Sequence, residues 1–311
     1  MRIKFTMLVL LALAIQAFIS CSPRELELHV GSYNIRCISS SDAKANNHWD
    51  ARKDYLCDVI DYEDFDVFGA QEVTFTQLNY MLENLDDYAY VGVGRTDGKE
   101  KGEFSPVFYK KDRIELLESS TFWISETPDE AGSVGWDAAL PRVCSWGLFK
   151  DLKSGRKFYF FNLHMDHVGM KARVEGAKLV VAKIKDICKG YPVILTGDFN
   201  VDQNSDVYDT FVDSGVLFDS YELADDKLAF NGTFNSFKPA FRTESRIDHI
   251  FVTEGADVDK YGILTYSYWI QPQEIGDALK AGAAPQEIDF RIYDQKLPSD
   301  HYPLSVRLTF E

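Results

Sequence analysis

Ten residues, Tyr191–Asn200 (YPVILTGDFN), restrict what this chain can fold into more than any other stretch. The run Val193–Thr196 is aliphatic or β-branched throughout, which suits a central strand covered on both faces, and Gly197 permits the tight turn that stops it. Beyond the glycine stand a carboxylate, Asp198, and an amide, Asn200. In open α/β architectures ligands bind just past the carboxyl ends of strands, so a polar pair there is placed for chemistry. The same pair also arises from plain turn-making, Asp198 capping a turn and Asn200 satisfying it. How many other strands end in this way separates the two readings.

Three others do. Leu26–Arg36 alternates apolar and polar residues as a first strand and ends on Asn34 and Arg36. Trp49–Tyr62 then spaces Tyr55, Leu56, Val59 and Ile60 on one helical face, with Asp50 as a candidate cap, before a buried strand at Phe65–Gly69 that presents Glu72. Strand, helix, strand in this order makes parallel neighbours with a right-handed crossover and sets Asn34 beside Glu72. The order recurs: Lys157–Asp166 ends in Asn162, His164, Asp166 and His167, and Ala172–Ile187 carries a helical stripe of Val174, Ala177, Val181, Ile184 and Ile187 into the strand before Asp198. Between the two units we expect a helix at Phe75–Leu85 and antiparallel strands at Tyr88–Val93, Val107–Lys110, Ile114–Ile124 and Val143–Asp151, with a loop at Glu126–Leu140. After Asn200 come a short helix at Asp206–Phe211, a turn-rich passage around Asn231–Phe234 and a strand at Arg246–Val252 bearing Asp248 and His249. Gln271–Pro298 reads as an irregular excursion, and Asp300 and His301 precede a last strand, Leu304–Phe310. Two sheets, each covered by helices and packed on the other, give an α/β fold: a four-layer α/β/β/α sandwich of two mixed sheets.

The ends of the chain and its charge limit where such a domain works. Arg2 and Lys4 precede an apolar run, Met7–Ile19, too short to span a bilayer comfortably and shaped like a secretory signal. Ile19-Ser20-Cys21 resembles the lipobox of bacterial lipoproteins, with Phe18 where that motif prefers Leu. We therefore expect a signal peptide over residues 1–20, Cys21 as the lipidated residue, a single domain over 22–311, and a place in the cell envelope at a membrane. The formal net charge is −16 and the basic residues are scattered, which disfavours tight nonspecific binding of nucleic acid without excluding a nuclease. Cys37, Cys57, Cys144 and Cys188 show no spacing of a disulfide framework or a zinc site and are read as core. His29 and His48 have no motif around them and are read as surface, and His249, facing away from Asp248, as structural.

Taken in order from Leu26 to Phe310, Asn34 in SYNIR, Glu72 in QE, His164 in NLHMDH, Asp198 and Asn200 in GDFN, Asp248 in RIDHIF, and Asp300 with His301 in SDHYPL resemble the endonuclease/exonuclease/phosphatase superfamily. That group includes deoxyribonuclease, abasic-site endonucleases, inositol polyphosphate phosphatases, neutral sphingomyelinases and deadenylases, and its members share the four-layer sandwich and a phosphate-ester substrate. The resemblance implies hydrolysis of a phosphate ester. Such chemistry needs charge neutralised, a water made nucleophilic and the leaving oxygen stabilised. Oxygen ligands without cysteine suit Mg²⁺ or Mn²⁺, with Glu72 as first ligand and Asn34 and Asp300 completing or orienting the site. Asp198 would activate the attacking water, with Asn200 holding it or a phosphate oxygen. Asp248 would fix the tautomer of His301, and His164 would donate to a phosphate oxygen. Tyr109 in VFYKKDRIE matches a family tyrosine that contacts the phosphate or leaving group.

Substrate choice is less constrained. Trp123, Trp136, Arg142 and Trp146, in and just after Phe122–Pro141, are candidates for a cleft rim, with Arg142 a phosphate contact, and packing is an equal reading for the tryptophans. Phe234 and Asn235 in GTFNSF are candidates to touch substrate. Nucleic-acid fragments, lipid headgroups and sugar phosphates all fit this pattern. A surface binding protein that keeps the fold without turnover is the competing class, and it would show a lost catalytic position where this chain keeps every one.

Overall fold

The computed structural model describes residues 24–271 and 293–311. The expected leader, Cys21 and most of the Gln271–Pro298 excursion lie outside the described residues. The first half of the chain runs β1 (Leu26–Asn34), a 3-10 turn at Ser40–Ala45, α1 (Trp49–Glu63), β2 (Val67–Gln71), α2 (Phe75–Asn84), β3 (Tyr88–Val91), β4 (Val107–Lys110), β5 (Ile114–Trp123) and β6 (Val143–Asp151). The second runs β7 (Lys157–His164), α3 (Met170–Ile187), β8 (Val193–Asp198), α4 (Asp206–Val212), β9 (Phe218–Asp219), α5 (Ser220–Leu223), β10 (Asp226–Leu228) and β11 (Asp248–Val252). It ends with β12 (Ala256–Ile263), a small hairpin of β13 (Tyr268–Ile270) and β14 (Asp294–Lys296), and β15 (Leu304–Phe310).

Two mixed sheets result, of order β10-β12-β15-β1-β2-β4-β3 and β5-β6-β7-β8-β11-β9. Each contains one parallel pair made by a helical crossover, β1 with β2 through α1 and β7 with β8 through α3. The two-residue period of the strands sorts side chains between layers. On β7, Phe158 and Phe160 join Val30, Val67, Ile194 and Val306 in the core between the sheets. Tyr159 and Phe161 turn outward and pack with Ala177, Val180 and Ile184 of α3. On the other side, Tyr33, Phe68 and Phe108 meet Leu56 and Ile60 of α1 and Leu78 and Met81 of α2. Three apolar layers thus separate helices, sheet, sheet and helices, the sandwich expected from the strand ends.

A polar staple crosses the central layer close to the strand ends. Asn162 donates to the carbonyls of Ala70 (2.7 Å) and Pro106 (2.9 Å), while its own oxygen accepts from Gln71 Nε2 (2.7 Å) and Thr196 Oγ1 (3.0 Å). All these side chains are buried, and the bonds made by Asn162 form only in one register of one sheet on the other. Gly69 makes the close approach possible. A Cβ there would lie 2.2 Å from Thr196 Oγ1.

Several local expectations change. Asp50 sits in the first turn of α1 and the N-cap is His48, without a side-chain bond. The buried face of α1 is Trp49, Arg52, Leu56, Cys57 and Ile60, so Tyr55 is exposed and stacks on Tyr268 at 3.8 Å between ring centroids. The helix is turned this way because Arg52 is drawn inside, donating to the carbonyls of Ile35 (2.6 Å), Arg36 (2.6 Å) and Pro298 (3.1 Å). The expected run of four antiparallel strands divides into β3–β4 in one sheet and β5–β6 in the other. β12 is an addition to the expected strands: a bulge between Val258 and Lys260 breaks the alternation that would mark it in the sequence. His29 is buried rather than exposed, because β1 is paired on both sides, and its Nε2 lies 2.8 Å from Ser305 Oγ. Cys37 and Cys188 are half-buried, at the end of β1 and at the C-cap of α3, while Cys57 and Cys144 are in the core.

Candidate active site

The crossovers bring the C-terminal ends of β1, β2, β7 and β8 to one end of the sandwich. Register pairs Asn34 with Gln71, so that Glu72 follows at once, and His164 with Asp198. β11 runs antiparallel to β8 and therefore supplies its first residue, Asp248, opposite Asp198. Asp300 and His301 arrive on the loop before β15, which Ser299 pins by donating to the Asn34 carbonyl (2.6 Å). Just past three of these strands the backbone turns through the left-handed region at a residue with a side chain: Arg36 (φ 57°), Glu72 (φ 61°) and Asn200 (φ 52°). That conformation is tolerable for Asn and costly for Glu or Arg, so the surroundings must hold it. For Glu72 they do so through both carboxylate oxygens, one accepting from Asn34 Nδ2 (3.2 Å) and the other from the Cys37 N–H (2.9 Å).

Asp198 is the hub. Its Oδ2 accepts from Asn34 Nδ2 (2.9 Å) and lies 3.5 Å from His164 Nε2 and 3.7 Å from His301 Nε2, while its Oδ1 accepts from the Asn200 N–H (2.9 Å). Burial, reinforced by the neighbouring carboxylate of Asp248, pushes its pKa up to about 7, although His301 pulls the other way. The other ring nitrogen of His301, Nδ1, donates to Asp248 Oδ2 (2.8 Å). Burial works against the charged imidazolium, but Asp248 and Asp198 together outweigh it and raise His301 to about 10. His164 is opposite in character: burial, then the nearby Arg142 and Arg95, drive its pKa well down. Asn200 fixes its tautomer. One amide proton goes to the Met165 carbonyl (3.0 Å) and the other to His164 Nε2 (3.0 Å), so the ring carries its proton on Nδ1, which is buried without a partner.

Around this hub lies a cavity of about 420 Å³ whose walls include Arg36, Arg95, Glu103, Leu140, Arg142 and Phe234. Arg142 is almost fully buried; its Nε donates to Asp166 Oδ2 (3.3 Å) and its Nη2 meets His167 Nδ1 (2.9 Å), but Nη1 has no partner. Arg36 is held by Asp42 (3.0 and 3.1 Å) with Asp300 3.8 Å away, and Arg95 forms a two-pronged pair with Glu103 (2.9 and 2.8 Å). The family model for the endonuclease/exonuclease/phosphatase family matches residues 31–301, a span that contains this whole constellation. The chain belongs to that family. An endonuclease/exonuclease/phosphatase family protein from Bacteroides thetaiotaomicron is 48% identical, with 93% of this chain and 99% of that one covered at a TM-score of 0.85. A mannosyl-6-phosphatase from the same organism is 49% identical over 91% of this chain and all of that one, at a TM-score of 0.82. The catalytic domain of human Nocturnin, solved with a bound sulfate anion, shares the fold at 16% identity, covering 92% of this chain and 94% of that one at a TM-score of 0.62.

Within this family member the structure gathers Asn34, Glu72, His164, Asp198, Asn200, Asp248, Asp300 and His301 at one end, with Arg142 and Phe234 on the cavity wall. Three residues expected there lie elsewhere. Tyr109 pairs with Val67, at the other end of β2 from Glu72, and its ring packs on Phe149. Trp146 points away from the site because it faces α3, between Tyr159 and Phe161. Asn235 is buried behind the wall, where its N–H holds the Asp300 carbonyl (2.8 Å) and its side chain accepts from the Phe237 N–H (2.8 Å). Trp123 is also structural, its Nε1 donating to the Arg95 carbonyl (2.7 Å), and His249 packs edge-on against Phe199. Arg95 and Glu103 are additions to the expected set: they lie on a loop between strands that carries no strand-end signal.

The donor set suits a hard divalent cation. Glu72, His164 and Asp198 offer ligand atoms within 4.8 Å of one another, as do Asp198, Asp248 and His301. Burial and the neighbouring Glu72 also raise Asp300, and Asp248 Oδ1 is buried with no hydrogen-bond partner. Asp198 and Asp300, held toward their neutral forms by burial and by neighbouring carboxylates, would be favoured as anions by added positive charge. Asn34 turns its amide nitrogen to Glu72 and Asp198, so it orients those carboxylates.

Proposed function

We propose that this chain is a metal-dependent phosphomonoesterase acting on a sugar phosphate. The observation that carries the reading is Arg142, a buried guanidinium whose Nη1 lacks any partner, on the wall of a small cavity that ends in Glu72, Asp198 and His301. The guanidinium is already paired with Asp166, but a donor buried without an acceptor is still costly, and a phosphoryl oxygen is a group that satisfies it. The cavity falls within the range of small-molecule sites, about 300–1,000 Å³. With a formal charge of −16 and no basic track, a small ester suits the molecule better than a polynucleotide. The mannosyl-6-phosphatase, at 49% identity, supports a sugar phosphate in particular.

Glu72 would hold Mg²⁺ or Mn²⁺, with Asn34 and Asp300 orienting it; such an ion supplies Lewis-acid stabilisation of the phosphoryl oxygens. Arg142 binds and orients the phosphoryl group from the cavity wall. Asp198, with a pKa near neutrality, takes the proton of the attacking water at its Oδ2. His301, held as an imidazolium by Asp248, offsets the charge that develops as phosphorus becomes five-coordinate, while neutral His164, its Nε2 accepting from Asn200 and its Nδ1 buried, stands beside Asp198. Asn200 directs its amide protons to the protein and so acts by fixing the His164 tautomer. The leader and Cys21 support a place for the enzyme at a membrane of the cell envelope.

The test is hydrolysis by the purified chain of mannose 6-phosphate, p-nitrophenyl phosphate, bis(p-nitrophenyl) phosphate and single-stranded DNA, with Mg²⁺ or Mn²⁺ and with EDTA. Release of phosphate from the sugar ester that EDTA abolishes is the expected result. Activity confined to the diester or to DNA would overturn the monoesterase reading, and activity unchanged by EDTA would remove the metal.

A further inference from the structure

Arg95 and Glu103 have no place in the phosphoryl chemistry above, yet both line its cavity. Their loop is built to present them. The Arg95 N–H donates to the Glu103 carbonyl (3.0 Å) and the Thr96 N–H to that of Lys101 (3.0 Å), while Asp97 accepts from the N–H groups of Lys99 and Lys101 (2.9 Å each). Trp123, reaching across from β5, fixes the Arg95 carbonyl. The result is a pre-formed ion pair, two bonds of 2.9 and 2.8 Å, on the wall of a cavity that must also admit a phosphate dianion.

A carboxylate repels that dianion, so the phosphate belongs at Arg142 and the part of the substrate at Glu103 is something else. Two of the lone-pair sites of Glu103 face Arg95 and the remainder are open to hydrogen-bond donors. An acyl chain or an aromatic leaving group would strip water from this pair and return nothing. Hydroxyls donate to the carboxylate and accept from the guanidinium at once. We infer that Arg95 and Glu103 are the specificity-determining pair of this site and bind hydroxyl groups of the leaving sugar. The inference rests on the phosphomonoesterase reading and deepens it by assigning recognition of the alcohol to named residues.

Steady-state kinetics with mannose 6-phosphate, its monodeoxy analogues and p-nitrophenyl phosphate test the pair, using the full chain with Mg²⁺. In the unaltered enzyme, loss of the recognised hydroxyl should lower kcat/KM at least tenfold, chiefly through KM. Glu103→Gln should lower kcat/KM for the intact sugar phosphate by a similar factor and be indifferent to that same deletion, because the contact is already gone. Arg95→Lys, which keeps the charge and loses the fork, should show the same insensitivity, and thermal midpoints report whether each variant is folded. Additive losses for every deoxy analogue in both variants overturn the assignment. So does an unaltered enzyme that turns over p-nitrophenyl phosphate and mannose 6-phosphate equally well. An enzyme inert to all phosphomonoesters would instead bring down the function reading, and this inference with it.

Discussion

Asp198 stands in conflict between folding and chemistry. A carboxylate buried beside Asp248 favours its protonated form, and the same pressure that destabilises the charge gives it a pKa near 7, which suits the proposed role of base. Asp198→Asn should therefore separate the two roles. Turnover should fall by about a thousandfold, in line with the ~10²–10⁴ contribution of a positioned base, while the thermal midpoint stays level or rises. A large drop in midpoint would show the carboxylate to be structural. Glu72→Gln keeps the shape and removes the charge, so the Mg²⁺ concentration for half-maximal activity should increase roughly tenfold or more, given the weight of carboxylates in binding hard cations. An unchanged metal requirement would exclude Glu72 as a ligand. Residues like these are legible in the sequence because each ends a buried strand, where a polar side chain is conspicuous. Arg95 and Glu103 are not, since GRTDGKEKGEF reads as any polar loop. Tyr109 and Trp146 mislead for the opposite reason: a motif or a composition marks the residue, but only strand direction and pleat decide which end and which face it reaches.

Among the elements, the two strand–helix–strand units are readable from their apolar runs and helical stripes, since local chemistry alone sets them. The partition of β3–β4 and β5–β6 between sheets is not, because antiparallel neighbours in sequence carry no sign of which sheet they join. Nor is the staple at Asn162, which looks like one more polar strand end but binds β2 to β7 and β8. It yields a prediction at this scale. In Gly69→Ala the new methyl would meet Thr196 Oγ1 at 2.2 Å and Asn162 Oδ1 at 2.3 Å, so it must push the sheets apart or break the buried hydrogen bonds that Asn162 accepts. Overpacking costs about 1–3 kcal/mol, and a lost buried hydrogen bond adds to it. We expect about 3 kcal/mol less stability by chemical denaturation, together with reduced activity, because β2 carries Glu72. A loss below about 0.5 kcal/mol, the usual range for an unconstrained surface site, would mean the sheets are free to shift there.

For the molecule as a whole, acidity and one buried histidine act on stability in opposite directions as the pH falls. The chain carries a formal charge of −16, and protonating exposed carboxylates relieves their mutual repulsion. His29 opposes this. Burial, with help from Arg307, lowers its pKa from 6.5 to about 4, so the folded protein holds it neutral against Ser305 while the unfolded chain binds a proton more readily. Stability rises with pH wherever the unfolded state carries more protons, which for His29 means the window between about pH 4 and 6.5. Above that window its contribution is fully present; through it, folding must increasingly exclude a proton, and below it the loss is complete. A tenfold change in proton affinity is worth about 1.36 kcal/mol, so the loss is on the order of 2 kcal/mol after allowing for partial solvent access. Urea denaturation at about pH 7, 6, 5 and 4.5, spanning that window, measures it. The unaltered chain should lose stability across this series faster than His29→Gln, which presents a neutral amide to Ser305 at every pH. The difference between the two curves, rather than either slope alone, isolates the histidine from the carboxylates. Parallel curves would show that His29 is protonated in the folded protein without penalty, and that β1 and β15 open far enough there for water to reach it.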